Sequence, residues 1–140
     1  MEAKAQIVAT DCWDVWLPKN QAWLGRACLT LRTHKSSLSE LSEQEWKEFH
    51  ALVKQLESAY AEAFGARPIN WGCFMNDSFQ KNPALPHVHW HAFPRYEKKI
   101  TVGGIMFDDP LFGHHYNPNA KRVVEDEVLE NIATSLKAHL

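Results

Sequence analysis

The sequence holds no long apolar run, no repeat, no low-complexity tract and no excess of either charge. Fifteen Lys and Arg stand against 17 Asp and Glu, for a formal net charge of -2. Nucleic acid and anionic membranes call for a concentrated basic field, so neither is an expected partner, whereas a small charged ligand stays open. No segment approaches the length that spans a bilayer. Cysteine is scarce too: Cys12, Cys28 and Cys73 are odd in number and lack C-x-x-C spacing, which excludes a disulfide framework and a cysteine-rich zinc site and leaves three reduced thiols. The stretch from Met1 to Thr10 has neither a basic start leading into an apolar stretch nor a cleavage pattern, and the expected setting is cytoplasmic. Nothing resembles a linker, so residues 1–140 read as one domain.

Several elements are legible. Ala27 to Leu31 is apolar, follows Gly25 and reads as an interior strand. From Ser42 to Phe64, Trp46, Phe49, Val53, Leu56, Tyr60 and Ala63 recur at helical steps. Ser42 and Glu45 form a capping box at the start of that helix, and Gly65 ends it. Ile69 to Asn76 reads as a second strand, Asp77 to Pro86 as a polar turn, His87 to Phe93 as a third strand stopped by Pro94, and Ile100 to Phe107 as a fourth. Val124, Val128, Ile132 and Leu136 predict a C-terminal helix. The expected fold class is α+β, with an antiparallel sheet of about four or five strands, a long helix packed on it and a C-terminal helix.

The informative stretch runs from Pro86 to Tyr96, where His87, His89 and His91 alternate with Val88, Trp90 and Ala92. Side chains two apart on a strand share a face, so the three imidazoles form a row with roughly 6.5 Å between neighbours. Each carries two polar nitrogens that burial would leave unpaired, so a row of three makes poor core filler. Imidazole near neutral pH can attack phosphorus, exchange protons or bind a metal. Zinc is the main competitor to phosphate, but no carboxylate or thiol is visibly placed to complete a site, and a row of roughly 13 Å does not close on one ion.

This run resembles the histidine triad family, matching His-apolar-His-apolar-His-apolar-apolar from His87 to Phe93, and Pro94-Arg95-Tyr96 is similar to the family's continuation. The resemblance covers about residues 17–96 and leaves a C-terminal extension, 107–140, outside it. It implies a nucleotide hydrolase or nucleotidyl transferase in which His89 attacks the α-phosphorus of a dinucleoside polyphosphate or nucleoside phosphoramidate through a covalent nucleotidyl-histidine. It implies an architectural role for His87, whose main-chain carbonyl fixes the His89 tautomer, and phosphate contacts from His91, Asn76 and His34. Trp23-Leu24-Gly25-Arg26 resembles the family's opening hairpin. Trp16 and Leu17, with Trp13 and Val15, are candidates for the wall around base and ribose, with a place in the core as the competing reading. A purine nucleotide substrate and a homodimer follow from the same resemblance. No cofactor is required and no protein-bound metal is expected, although Mg²⁺ can accompany a polyphosphate. Two departures stand out: Ala84 occupies the position where relatives carry Ser or Thr, and Pro83 and Pro86 replace a Gly-Gln loop. They keep a second reading in play, a non-catalytic nucleotide-binding or regulatory module. His114 and His115 read as loop surface, and Asp108 and Asp109 as an exposed acidic turn.

Overall fold

Burial alternates along the first two strands, and that alternation turns one side of the sheet to the core and leaves the other open. The computed structural model describes residues 4–140, so the first three positions of the Met1 to Thr10 reading lie outside the described residues. The strands are β1 (Lys4–Ala9), β2 (Trp13–Pro18), β3 (Ala27–Leu31), β4 (Ile69–Gly72) and β5 (His89–Pro94), in one five-stranded antiparallel sheet of order β1-β2-β3-β5-β4. Helix α1 (Glu43–Phe64) crosses between β3 and β4, and α2 (Asp126–Lys137) closes the chain. The fold is therefore α+β with a long helix and a C-terminal helix, as the sequence implies.

On the core face Trp13, Val15, Leu17, Leu29 and Leu31 are buried against Phe49, Leu52, Leu56 and Tyr60 of α1. The Trp13 indole lies 5.3 Å from the Phe49 ring and donates its N–H to Glu45 O at 2.9 Å, so the strand and the start of the helix are joined by both packing and a buried polar contact. Both caps of α1 form: Ser42 accepts from the Glu45 amide, the Glu45 carboxylate reaches back to Ser42 N, and Gly65 adopts the left-handed conformation. The buried stripe is shifted from the expected one, because Leu52 and Ala59 are buried while Trp46 remains 40% exposed.

Other elements depart from expectation. The second strand ends at Gly72, not Asn76, because Phe74 folds back over Gly72 and Met75 takes a positive φ of 60°, which turns the chain out of the ladder. The third begins at His89 and leaves His87 outside it. The fourth is two short strands, β6 (Ile100–Val102) and β7 (Ile105–Phe107), turned at Gly103 and Gly104 and paired only with each other. Asp109 is no exposed turn residue: its carboxylate holds the Arg95 guanidinium at 2.7 and 3.1 Å, and both side chains are about 95% buried. Arg95 also donates to Asn70 Oδ1, Leu111 O and His114 O, which anchors the C-terminal extension to the end of the sheet. His114 and His115 are exposed, as loop residues. Among the described residues no helix is long and apolar enough to cross a membrane.

Candidate functional site

Register places Trp16 beside Cys28, Cys28 beside His91 and Thr30 beside His89, so these side chains share the face opposite the core. They line a cleft of about 790 Å³ together with His87, Arg26, Ser78, Leu85, Lys4, Asn20 and Lys121. Among the described residues no Asp or Glu lines it. A second hollow of about 270 Å³ begins on the other side of His89 and His91, and Asn76, Phe74, Tyr116 and Pro118 are among its walls. The triad thus stands between two openings, with Asn76 in the smaller.

His87 precedes the strand but is tightly held. Its Nε2 donates to Leu31 O at 2.6 Å, Leu31 N donates to Val88 O at 3.2 Å, and Val88 N donates to Lys35 O at 2.9 Å. The His87 carbonyl accepts from His89 Nδ1 at 2.8 Å. A carbonyl can only accept, so Nδ1 carries the proton and the lone pair of His89 is on Nε2. The rings of His89 and His91 lie edge to face, 5.1 Å apart.

His91 is sandwiched by chemistry of a different kind. Burial, then the neighbouring His89 and Arg26, push its pKa down to about 4, with Asp77 opposing. It is therefore neutral at physiological pH. Its Nδ1 lies 3.6 Å from Cys28 Sγ, and burial pushes that thiol up to about 11, so sulfur keeps its proton. Phe93 stacks on one side of the His91 ring and Phe74 on another, at 5.7 and 6.3 Å.

Of the expected site residues, His87, His89, His91 and Trp16 meet in the larger cleft and Asn76 lies across the triad from it. Leu17 does not. It is fully buried on the core face with Trp13 and Val15, because neighbours on a strand point to opposite sides and Trp16 has the ligand side. His34 is exposed and outside the cleft lining, and its ring stacks on His87 at 4.9 Å. Residues the sequence did not single out also line the site. Ser78 Oγ and Arg26 Nε are both buried without a hydrogen-bond partner. The C-terminal extension contributes Lys121, Tyr116 and Pro118, with Tyr116 stacked on Phe93 at 4.4 Å. Among the described residues no three His, Cys, Asp or Glu side chains come together as a metal site.

No protein-family model matches the chain. Among curated proteins it is similar to the galactose-1-phosphate uridylyltransferase of Haemophilus influenzae, 22% identical over 134 residues that cover 95% of this chain and 37% of that protein. The chain thus spans little more than a third of the length of that relative. Solved structures are similar over nearly the whole chain. A histidine triad protein from Marinobacter aquaeolei superimposes with a TM-score of 0.69 at 18% identity, covering 98% of this chain and 88% of that one. A Hit-like protein involved in cell-cycle regulation from Bartonella henselae gives 0.66 at 18% identity, with 99% and 87% covered. The diadenosine triphosphate hydrolase of Plasmodium falciparum gives 0.60 at 16% identity, with 95% and 74% covered. With His87, His89 and His91 lining one cleft of such a sheet, the chain has the fold of the histidine triad proteins.

Proposed function

We propose that this protein is a nucleotide hydrolase or nucleotidyl transferase acting at the α-phosphate of a dinucleoside polyphosphate or a nucleoside phosphoramidate, with a purine nucleotide as the retained group. The observation that carries the reading is the 2.8 Å hydrogen bond from His89 Nδ1 to His87 O, which leaves the Nε2 lone pair as the nucleophile. Nε2 forms a bond to phosphorus as the bond to the leaving group breaks, and the leaving group departs with the electron pair and takes up a proton. Water then attacks the phosphoramidate, the N–P bond breaks, and the nucleotide leaves with His89 restored. An acceptor hydroxyl in place of water makes the same protein a transferase, and the likeness to a uridylyltransferase supports keeping both outcomes within the proposal.

The Cys28 thiol, held protonated, donates to His91 Nδ1 and puts the imidazole proton on Nε2, so a neutral His91 is a hydrogen-bond donor to phosphate oxygen. Asn76 adds an amide donor across the triad, and Ser78 Oγ, buried with no partner, supplies a hydroxyl that Ala84 does not. His34 acts through the His87 ring it stacks on. Trp16 offers the apolar wall. Mg²⁺ arrives with a polyphosphate when it takes part, since Asp109 is already committed to Arg95. The three cysteines are all free, which suits a reducing, cytoplasmic setting.

The test is mass spectrometry of acid-sensitive intermediates beside steady-state rates with chelator present. Wild type is expected to turn over at least one of these substrates and to trap a nucleotidyl adduct on His89. His89→Asn is expected to bind nucleotide without turnover, and Ser78→Ala to slow the reaction by about tenfold or more. An adduct retained by His89→Asn excludes His89 as nucleophile. Micromolar nucleotide binding with no turnover of any substrate by wild type leaves the regulatory module as the function.

A further inference from the structure

Among the described residues the larger cleft is lined by three cations and no carboxylate, in a chain whose net charge is -2. Lys4, Arg26 and Lys121 line it, and among the described residues none of them has a carboxylate within ion-pair distance, while Lys19, Arg32, Lys35 and Arg95 each do. An exposed lysine alone carries no argument, because solvent satisfies it. Arg26 is different: its Nε is buried and unpartnered, and its guanidinium lies over the faces of Trp23 and Phe93, 5.9 and 5.6 Å from the ring centroids. A charged donor withdrawn from water without a partner costs free energy, unless a ligand completes it.

Arg26 is also presented by a rigid turn. The Gln21 carboxamide, fully buried, donates to Pro18 O and Arg26 O and accepts from Gly25 N. The hydroxyls of Tyr60 and Tyr96 cap Gly25 O and Leu24 O, both at 2.6 Å. Lys121 is brought to the same mouth by Asn20, which accepts from Arg122 N at 2.9 Å and pairs with Val123. Along β3 the ligand face reads Thr30, Cys28, Arg26, and the first two sit opposite His89 and His91. Arg26 is thus one step beyond the triad, about 13 Å of backbone from the level of His89, a span its long side chain shortens.

From these positions we infer a second anion subsite, formed by Arg26 and Lys121 with Lys4 at its rim, that selects substrates carrying a second phosphate remote from the one attacked by His89. The inference deepens the nucleotide reading and depends on it. The second phosphate can be on the polyphosphate chain or on the ribose, and the same cations serve either.

Calorimetry on full-length His89→Asn protein in chelator, with AMP, ATP and adenosine 3′,5′-bisphosphate as ligands, tests it. ATP or adenosine 3′,5′-bisphosphate, each with more than one phosphate, is expected to bind about tenfold or more tightly than AMP, as one charge-assisted contact implies. Adding Arg26→Gln is expected to bring that ligand to within about threefold of AMP measured on the same variant, and the surface variant Lys121→Gln to remove part of the gain. Which ligand gains tells where the second phosphate is carried. AMP binding with no gain for either, or a gain that survives both substitutions, overturns the subsite and spares the nucleotide reading. Failure of all three ligands to bind overturns both.

Discussion

His91 offers a direct physical measurement of the cleft. Its pKa falls from 6.5 to about 4, first through burial and then through His89 and Arg26. Protons bind the unfolded chain more readily than the native one between those two values, so stability rises with pH across that window and is lost as pH falls from 6.5 toward 4. A difference of about two and a half units sets a ceiling of about 3 kcal/mol, and the open cleft screens some of it, leaving about 1–2 kcal/mol by pH 4.5. Urea denaturation of wild type and His91→Gln at pH 7 and pH 4.5 isolates the effect. The other seven histidines are common to both proteins. Lysine and serine contacts hold the Glu45 carboxyl below its ordinary range and Cys12 and Gln44 lower that of Glu48 to about 2, and both are shared, so their contribution cancels in the comparison. Wild type is expected to lose about 1–2 kcal/mol more than the variant over this interval. NMR titration of the His91 ring supplies the pKa itself, and a midpoint at or above 6.5 in the free protein refutes the account of the site. A bound phosphate acts oppositely, because an anion beside the ring favours imidazolium and raises the midpoint.

Two further outcomes follow from packing. Asp109→Asn leaves the buried Arg95 guanidinium without its counter-charge, and removing one partner of such a pair costs about 3–5 kcal/mol; a melting-temperature drop accompanied by proteolytic cleavage between 108 and 120 is expected, and an unchanged melt contradicts the anchoring role of the pair. The homodimer implied by resemblance is proposed to pair through α1 and the free side of β4, where Trp46 is 40% exposed and Trp71 is half-buried. Light scattering is then expected to give about twice the 16.1 kDa chain mass, with Trp46→Glu returning it toward one, and a wild-type monomer at high concentration rejects the proposal.

Helix α1 was legible to the residue at both ends because its signals are local: a capping box within four residues and one glycine past the last turn. The strands β1 and β2 escaped detection because the ligand face is itself partly apolar. Trp16 stands opposite Trp13, Val15 and Leu17, so the two faces of β2 do not separate by polarity. Pairing Trp16 with Leu17 as cleft residues overlooked the one rule that needs no polarity, since adjacent strand residues cannot share a side. The same parity, counted back from Thr30 through Cys28, points to Arg26. Lys121 and Tyr116 had no such signal, because they are brought to the site by the Asn20 bridge and by the pairing of Asp109 with Arg95, contacts that no local pattern encodes.

The early end of β4 is the departure with most consequence for chemistry. In a regular antiparallel ladder, main-chain carbonyls turned toward a neighbouring strand are engaged there. His87 has the parity of His89 and His91, whose main-chain groups face β4; because β4 ends at Gly72, opposite His91, and the chain enters β5 only at His89, no ladder partner engages the His87 carbonyl, which accepts from the His89 ring. Holding that irregular entry in place takes the His87 ring on Leu31 O and the Val88 amide on Lys35 O, and Lys35 is itself tied by its ammonium to Glu45 at the first turn of α1. The tautomer of His89 is therefore set by a chain of contacts that begins at the helix cap, and the first histidine of the alternating motif does this from just outside the strand that displays the other two.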